Sequence, residues 1–208
     1  MLVGKKAPKV KSKAVLNGNT ITEDFTLDQF IGKKNVVFFF YPADFTFVCP
    51  TELIAFQDRI SEFKQRDTEI VACSTDSEFS HWKWLQTERN QGGIKGVTYP
   101  LVADSANTIA ENYGVLAGRY EYTDEGEVFF SGEAKAYRGL FLIDKEGVVR
   151  HVTVNDMPLG RSVDEVLRII DALQYFETNG DVCPANWHKG DEGVKPTQAG
   201  ISEYLAKK

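Results

Sequence analysis

Residues 36–41 of this 208-residue chain, Val-Val-Phe-Phe-Phe-Tyr, form its longest unbroken apolar stretch. Such a run of β-branched and aromatic residues is typical of a strand that is covered on both faces. A membrane-spanning helix needs about 18 or more apolar residues in a row, so no membrane segment is expected here. Residues 36–41 therefore predict the central strand of an α/β domain.

Segments around this strand alternate between strand and helix patterns. Further strands are predicted at residues 69–74, 99–103, 139–143 and 148–154. A turn signal at residues 144–147 joins the last two as a hairpin. Strands that alternate with helices and close with an antiparallel pair predict a three-layer α/β fold, with helices flanking a mixed central sheet.

Helices are predicted where apolar residues recur at helical spacing. One covers residues 51–65, and a second begins at a capping box formed by Thr75 and Glu78. A third begins at a capping box formed by Ser162 and Glu165, and Gly180 supplies the residue that ends it.

Two domain-level features follow from the rest of the chain. Residues 1–180 are expected to form one domain, and the polar, glycine-containing residues 181–208 are expected to form a C-terminal arm. Residues 118–133 alternate aromatic and polar side chains around an acidic turn, which predicts a protruding hairpin.

Composition limits the partners and the compartment. The chain carries 30 acidic and 24 basic residues, a net charge of −6, which argues against nucleic acid as a ligand. Three cysteines are too few for a disulfide framework, and the first residues contain no apolar segment typical of a secretion signal. We therefore expect a cytoplasmic protein in which cysteine serves redox or nucleophilic chemistry.

Cys49 is the cysteine whose position predicts chemistry. It directly precedes Pro50 at the start of the predicted helix, so Cys49 is expected at the N-cap and Pro50 at the first helical position. Unpaired backbone N–H groups and the helix dipole favour a thiolate there. Glu52 in the same turn opposes a thiolate unless an arginine offsets its charge.

Local features leave two interpretations of Cys49 open. The hydroxyl of Thr46 is close enough in sequence to bind a thiolate or an attacked oxygen, and Phe45 and Phe47 are expected to restrict water around the site. A small buried cysteine at a helix start is also common in proteins that make no use of the thiol.

Four segments resemble one family in the same order along the chain. Residues 38–52 contain the pattern Pro-x-x-x-Thr-x-x-Cys, formed by Pro42, Thr46 and Cys49. Segments 137–141, 154–162 and 181–184 are also similar to those of the typical two-cysteine peroxiredoxins, the class that includes the alkyl hydroperoxide reductase C proteins. The resemblance spans nearly the whole chain and implies a thioredoxin-like fold.

The resemblance also implies roles for the residues around Cys49. Cys49 is implied to attack hydrogen peroxide or an organic hydroperoxide and become a sulfenic acid. Thr46 and Arg138 are implied to bind the peroxide oxygens, and Pro42 to shield the site. Supporting positions are implied for Glu52 and Arg161, which would orient Arg138. No cofactor and no metal ion is implied.

Cys183 is implied to be the second cysteine of the cycle. It would attack the sulfenic acid on Cys49 of another subunit, and thioredoxin or a dedicated flavoprotein reductase would reduce the resulting disulfide. A homodimer that assembles into a decameric ring is implied as well. Cys73 lies in a predicted strand, matches no family site and is expected to be a buried thiol without function.

The sequence leaves two other function classes open. A disulfide oxidoreductase or redox relay is disfavoured because the chain has no Cys-x-x-Cys motif. An oligomeric holdase is the other, with Phe45 and Phe47 as candidate contacts between dimers. Segments 92–95 and 204–205 only half match the motifs that make some relatives sensitive to over-oxidation.

Overall fold

The apolar run at residues 36–41 lies near the middle of a seven-stranded sheet in a computed structural model, which describes residues 1–207. Nine strands occur in the described residues: β1 (Lys11–Leu16), β2 (Thr20–Thr26), β3 (Asn35–Phe40), β4 (Thr68–Ser74), β5 (Leu101–Ala103), β6 (Arg119–Tyr122), β7 (Val128–Ser131), β8 (Arg138–Ile143) and β9 (Val149–Asn155). The large sheet has the order β2-β1-β5-β4-β3-β8-β9. The chain divides into two compact units, Met1–Arg161 and Ser162–Lys208.

Strand β3 joins the parallel and antiparallel parts of the sheet. It pairs in parallel with β4, where Phe38 is opposite Val71, and antiparallel with β8, where Phe38 is opposite Phe141. Strands β4 and β5 are also parallel, whereas β8 and β9 form the predicted hairpin. The predicted mixed sheet is therefore confirmed.

All six residues of β3 are buried, and their side chains pack in aromatic clusters on both faces of the sheet. On one face, Phe40 packs at 5.4 Å from Tyr113, measured between ring centroids. On the other, Phe39 stacks on Phe56 at 4.7 Å. Because β3 ends in this rigid core, the loop that follows it starts from a fixed position.

Six α-helices occur in the described residues: α1 (Cys49–Asp58), α2 (Ile60–Gln65), α3 (Glu78–Gln86), α4 (Thr108–Asn112), α5 (Val163–Asn179) and α6 (Gln198–Ala206). None of them is long and apolar enough to cross a membrane. The helix predicted at residues 51–65 is instead two helices, because Arg59 leaves helical geometry with φ −105° and ψ 11°.

Several local predictions differ from the structure. The capping box at Thr75 is wrong, since the side chain of Ser77 accepts the capping hydrogen bond, from the N–H of Ser80. The strand predicted at residues 99–103 begins only at Leu101. Strands β1 and β2 were not predicted, because most of their side chains are polar or only partly buried.

The predicted hairpin at residues 118–133 is confirmed as the separate two-stranded sheet of β6 and β7. Tyr120 and Phe130 are opposite each other, with an edge-to-face contact at 5.0 Å between ring centroids. Gly118 and Gly132 close its base so tightly that a Cβ on Gly132 would lie 2.9 Å from the Cα of Gly118.

The second unit, Ser162–Lys208, is built on α5. Its predicted ends are confirmed, because Ser162 caps the N–H of Glu165 and Gly180 adopts φ 72°. Helix α6 was not predicted. Trp187 is 2% exposed and packs on Tyr175. The division into domains at residues 180 and 181 stays a prediction.

Candidate active site

Cys49 is the first residue of α1 and is completely buried. The N-cap is Val48, so Cys49 and Pro50 are the first and second residues of the helix. The helix therefore begins one residue earlier in the chain than predicted. Val48 already has helical angles, φ −81° and ψ −35°, and its carbonyl accepts the N–H of Glu52. Cys49 still lies in the first turn, at the positive end of the helix dipole.

Arg138, the first residue of β8, points its guanidinium at this sulfur. Its Nη1 atom donates one hydrogen bond to Cys49 Sγ at 3.5 Å and another to Glu52 Oε2 at 2.6 Å. Its Nε atom donates to the carbonyl of Met157 at 2.6 Å. Three acceptors therefore fix the guanidinium plane.

Arg161 holds the other side of Glu52. Its Nε donates to Oε1 at 2.8 Å, its Nη2 to Oε2 at 3.0 Å, and its backbone N–H to Oε1 at 2.8 Å. The remaining Nη1 donates to the carbonyls of Phe40 and Gly139, at the ends of two core strands. Arg161 is thus an anchor for Glu52, which in turn holds Arg138.

The charges of this cluster do not balance while Cys49 is protonated. Arg138, Arg161 and Glu52 expose 3% or less of their side chains, so two positive charges and one negative charge are buried together. The sulfur of Cys49 lies beside these charges, 3.5 Å from Arg138 Nη1, where a negative charge would complete the balance. Glu52, which alone would oppose a thiolate, is neutralised by two arginines.

The loop before Cys49 differs in part from expectation. Pro42 is buried, and the hydroxyl of Thr46 donates to the carbonyl of Ala43 at 2.9 Å. Phe45 and Phe47 are 52% and 92% exposed, so the expectation that they restrict water around Cys49 is wrong for the single chain. Phe45 adopts a left-handed conformation, φ 53°, and its ring lies 5.8 Å from that of Trp84, measured between centroids.

The other two cysteines have different surroundings. Cys73 is completely buried in β4, and burial, together with the charge of Asp104, raises the pKa of its thiol well above the usual value. Cys183, in the second unit, is half-buried and donates to the carbonyl of Ala172 at 3.5 Å. Burial raises the pKa of Cys183, while the charge of Arg168 acts in the opposite direction.

Two contributions to the site were missed by the sequence. The carbonyl of Met157 holds Arg138, although nothing about a methionine signals such a role. Asp44, in the loop before Cys49, is buried and lies 2.9 Å from Nδ1 of His81 in α3, measured from its Oδ2 atom. Only the polarity of Asp44 beside an apolar strand could have drawn attention to it.

Together, a thioredoxin-like sheet and a buried cysteine beside an arginine define a thiol-dependent oxidoreductase. Comparison with known proteins makes this specific. Residues 3–152 match the AhpC/TSA family, and residues 172–207 match the C-terminal domain of 1-Cys peroxiredoxin. The chain therefore belongs to the AhpC/TSA family.

Individual relatives cover almost the entire chain. Alkyl hydroperoxide reductase C of Helicobacter pylori is 48% identical, over 99% of this chain and 96% of that protein. A thioredoxin peroxidase of Echinococcus granulosus is 45% identical, over 99% of this chain and 98% of the relative. The reduced 2-Cys peroxiredoxin of Plasmodium vivax superimposes with a TM-score of 0.88 at 43% identity, covering 99% of both chains. The chain is thus a thiol peroxidase that reduces hydroperoxides.

Proposed function

We propose that Cys49 is the residue at which this peroxidase reduces its substrate. The observation that carries the proposal is the hydrogen bond from Arg138 Nη1 to Cys49 Sγ at 3.5 Å, inside a buried cluster with one uncompensated positive charge. Among the hydrogen bonds of residues 1–207, Cys49 is the one cysteine that accepts from an arginine, whereas Cys73 and Cys183 donate to backbone carbonyls.

The first step converts the thiolate into a sulfenic acid. The sulfur of Cys49 attacks one oxygen of the hydroperoxide, the S–O bond forms and the O–O bond breaks. The second oxygen leaves with the electron pair and takes a proton, which gives water or an alcohol. Arg138 stabilises the negative charge that develops on this oxygen because its N–H groups are already fixed toward the site.

Thr46 and Pro42 complete the substrate site in this proposal. The Thr46 hydroxyl donates to the Ala43 carbonyl and retains its own lone pairs, so it can accept a hydrogen bond from the protonated peroxide oxygen. Pro42 is buried and has no N–H group that would need water. Hydrogen peroxide and organic hydroperoxides share the O–O–H group that these contacts bind.

Cys183 resolves the sulfenic acid in the second step. Its thiolate attacks the sulfur of Cys49 in another subunit, hydroxide leaves and is protonated to water, and an intersubunit disulfide forms. Because Cys49 is completely buried, the first turn of α1 must unwind before the two sulfurs can meet. A dithiol then returns two electrons and two protons to the disulfide.

The reductant and the assembly follow from the same proposal. The name of the Echinococcus granulosus thioredoxin peroxidase supports thioredoxin as the electron donor, and a dedicated flavoprotein reductase, implied by the family resemblance, is the alternative. Homodimers would assemble into a decameric ring, for which the exposed rings of Phe45 and Phe47 supply an apolar contact. We further propose a cytoplasmic location, where such dithiol reductants operate.

Non-reducing electrophoresis after one equivalent of hydrogen peroxide tests the pairing. The wild-type protein should form a covalent dimer, and the dimer should be absent in both Cys49→Ser and Cys183→Ser. Cys73→Ser is the matched control and should dimerise normally, since Cys73 is buried in the core. A dimer that persists in Cys183→Ser would overturn the resolving role, and peroxide consumption that persists in Cys49→Ser would overturn the central proposal.

A further inference from the structure

A second buried charge cluster lies in the first unit, apart from the arginine cluster around Cys49. His81 of α3 is completely buried, and the side chain of Asp44 is 1% exposed. The Nδ1 atom of His81 lies 2.9 Å from Asp44 Oδ2, and its Nε2 atom lies 3.2 Å from the carbonyl oxygen of Val102 on β5. None of these groups takes part in the proposed reaction.

The geometry favours one protonation state of this histidine. A backbone carbonyl can only accept, and the Asp44 carboxylate already accepts the hydroxyl hydrogen of Tyr41 at 2.8 Å. A neutral imidazole carries one N–H and leaves the other nitrogen as an acceptor. The Tyr41 oxygen also lies 3.3 Å from Nδ1, but the shorter contact directs its hydrogen to Asp44. With Asp44 as a carboxylate, both ring nitrogens of His81 therefore face acceptors, and the ring that satisfies both is the imidazolium ion.

The same cluster holds the loop that leads to Cys49. The backbone N–H of Asp44 donates to Asp76 Oδ2 at 2.9 Å, and Ser74 Oγ donates to the same oxygen at 2.6 Å. The next residue, Phe45, has a left-handed φ of 53°, which is unfavourable for an aromatic side chain. Fixing Asp44 from both its side chain and its backbone maintains this conformation and the position of Thr46, two residues farther along.

We propose that His81, as an imidazolium ion, is a positioning residue that holds Asp44 and thereby the Thr46 loop in the peroxide-binding conformation, so that loss of its proton slows the reaction at Cys49. The inference rests on the proposed function of Cys49. The described hydrogen bonds of His81 go to Tyr41, Asp44 and Val102, and none goes to Cys49. Its effect on peroxide binding therefore acts through the loop of residues 42–48.

The groups that face His81 determine the direction of the pH effect. Burial lowers the pKa of His81. The hydrogen bond and charge of Asp44, the charge of Asp76 and the carbonyl of Val102 raise it, and together they outweigh burial, so the pKa lies above the usual value. Tyr41 is neutral, since burial and the charge of Asp44 raise its pKa well above the usual value. On the helix of His81 itself, the charged neighbour is Glu78, which is paired with Lys13.

Asp44→Asn separates a charged ring from a neutral one. The amide nitrogen of Asn can donate to an unprotonated Nδ1, its oxygen can still accept from Tyr41, and Nε2 can donate to Val102 without a net charge on the ring. His81→Gln instead replaces the ring, whose two N–H groups point in opposite directions, by an amide that donates from its nitrogen only. A pH effect that comes from His81 should therefore disappear in both variants, whereas one that comes from the thiol should persist in both.

The rate of the Cys49 step, measured by stopped flow in the Cys183→Ser background between pH 6 and 9, tests this. We expect the rate constant to fall by about tenfold through the titration of His81, within the ~10²-fold that a displacement of 1 Å can cause. The fall should be absent in Asp44→Asn and in His81→Gln. His188→Gln, an exposed histidine, is the matched control and should retain it.

Nitrogen NMR of the three histidines gives a readout that does not depend on the reaction. In the Cys49→Ser protein, both ring nitrogens of His81 should be protonated at pH 7, and amide hydrogen exchange of residues 43–48 should accelerate as the ring loses its proton. A neutral ring at pH 7, or a loop whose exchange does not follow the titration, would overturn the inference even if Cys49 is catalytic. Failure of the Cys49 proposal alone would leave these NMR results unchanged.

Discussion

Glu52 Oε2 accepts a hydrogen bond from Arg138 Nη1 at 2.6 Å, and neither side chain exposes more than 3% of its surface. The carboxylate is therefore part of the cysteine site, although its charge alone would disfavour a thiolate. It resolves this conflict by holding the arginine that contacts Cys49. The arrangement keeps a buried positive charge beside the sulfur of Cys49.

Removing the charge of Glu52 should destabilise the reduced protein. Glu52→Gln leaves two buried arginines without a carboxylate, and breaking a buried pair in this way costs about 3–5 kcal/mol of unfolding free energy. Adding Arg161→Met removes one of the uncompensated charges, so the double variant should lose less than the sum of the single variants. Urea unfolding at one fixed protein concentration measures this coupling.

An exposed carboxylate is the control for Glu52. Glu23 pairs with Lys13 at the surface and is 69% exposed, so Glu23→Gln should change the stability by less than about 0.5 kcal/mol. Strict additivity of the Glu52 and Arg161 substitutions would show that the two residues do not act as one unit.

Arg138→Lys should slow peroxide reduction far more than it destabilises the fold. A lysine has one ammonium group and cannot contact Cys49, Glu52 and the Met157 carbonyl together from fixed directions. Loss of one preorganised donor costs about 10²–10³-fold in rate. Stopped-flow kinetics of the first turnover measure the loss, and Arg119→Lys on the exposed hairpin should react like wild type. A decrease of less than threefold would contradict the role of Arg138.

The resolving step should accelerate with pH above neutrality. Burial raises the pKa of Cys183, so the fraction of its thiolate increases about tenfold per pH unit until the pH reaches that pKa. The rate of disulfide formation after one equivalent of peroxide should follow the same slope. Arg168→Gln removes the charge that lowers the pKa of Cys183, so at pH 7 it should slow this step and not the first one.

Cys73 should not react with iodoacetamide in the folded protein. Burial raises the pKa of this thiol well above the usual value, so both access and ionisation are unfavourable. Mass spectrometry should find Cys73 unmodified in buffer and fully modified in urea, whereas Cys183 reacts in both. Modification of native Cys73 at a rate similar to that of Cys183 would show that the core opens around β4.

How much of this site the sequence could predict depends on the distance along the chain. The helix start at Cys49 and the covered strand before it are local patterns, and they were found to within one residue. Arg138 and Arg161 lie 86 and 109 residues from Glu52, so only the family resemblance associated them with it. The pair of His81 and Asp44 had no such resemblance and emerged only from the structure.

Local patterns also failed where a neighbour determined the outcome. Ser77 and Thr75 are both plausible helix caps, and the structure uses Ser77 because its side chain accepts from the N–H of Ser80. Thr75 instead donates to the carbonyl of Ala134, 59 residues away. Strand β1 begins with three polar residues, so its sequence carries no strand pattern, and it joins the sheet through pairing with β2 and β5.

Asn35, the first residue of β3, offers a test of the core that supports the site. Its side chain is completely buried, and neither its Nδ2 nor its Oδ1 atom has a hydrogen-bond partner among the described residues. An unsatisfied buried polar group costs about 1–3 kcal/mol, and an apolar side chain of similar shape avoids this cost. Asn35→Leu should therefore stabilise the protein by about 1 kcal/mol.

Thr68 is the matched control, because it is opposite Asn35 in the register of β3 and β4 and is also buried. Its hydroxyl donates to the carbonyl of Arg66 at 2.9 Å, so Thr68→Val should destabilise the protein by about 1 kcal/mol. The melting temperatures should shift in opposite directions, by roughly 2–4 °C for each kcal/mol in a chain of this size. If Asn35→Leu melts at a lower temperature than wild type, the Asn35 amide contributes a stabilising interaction to the core, and the prediction is wrong.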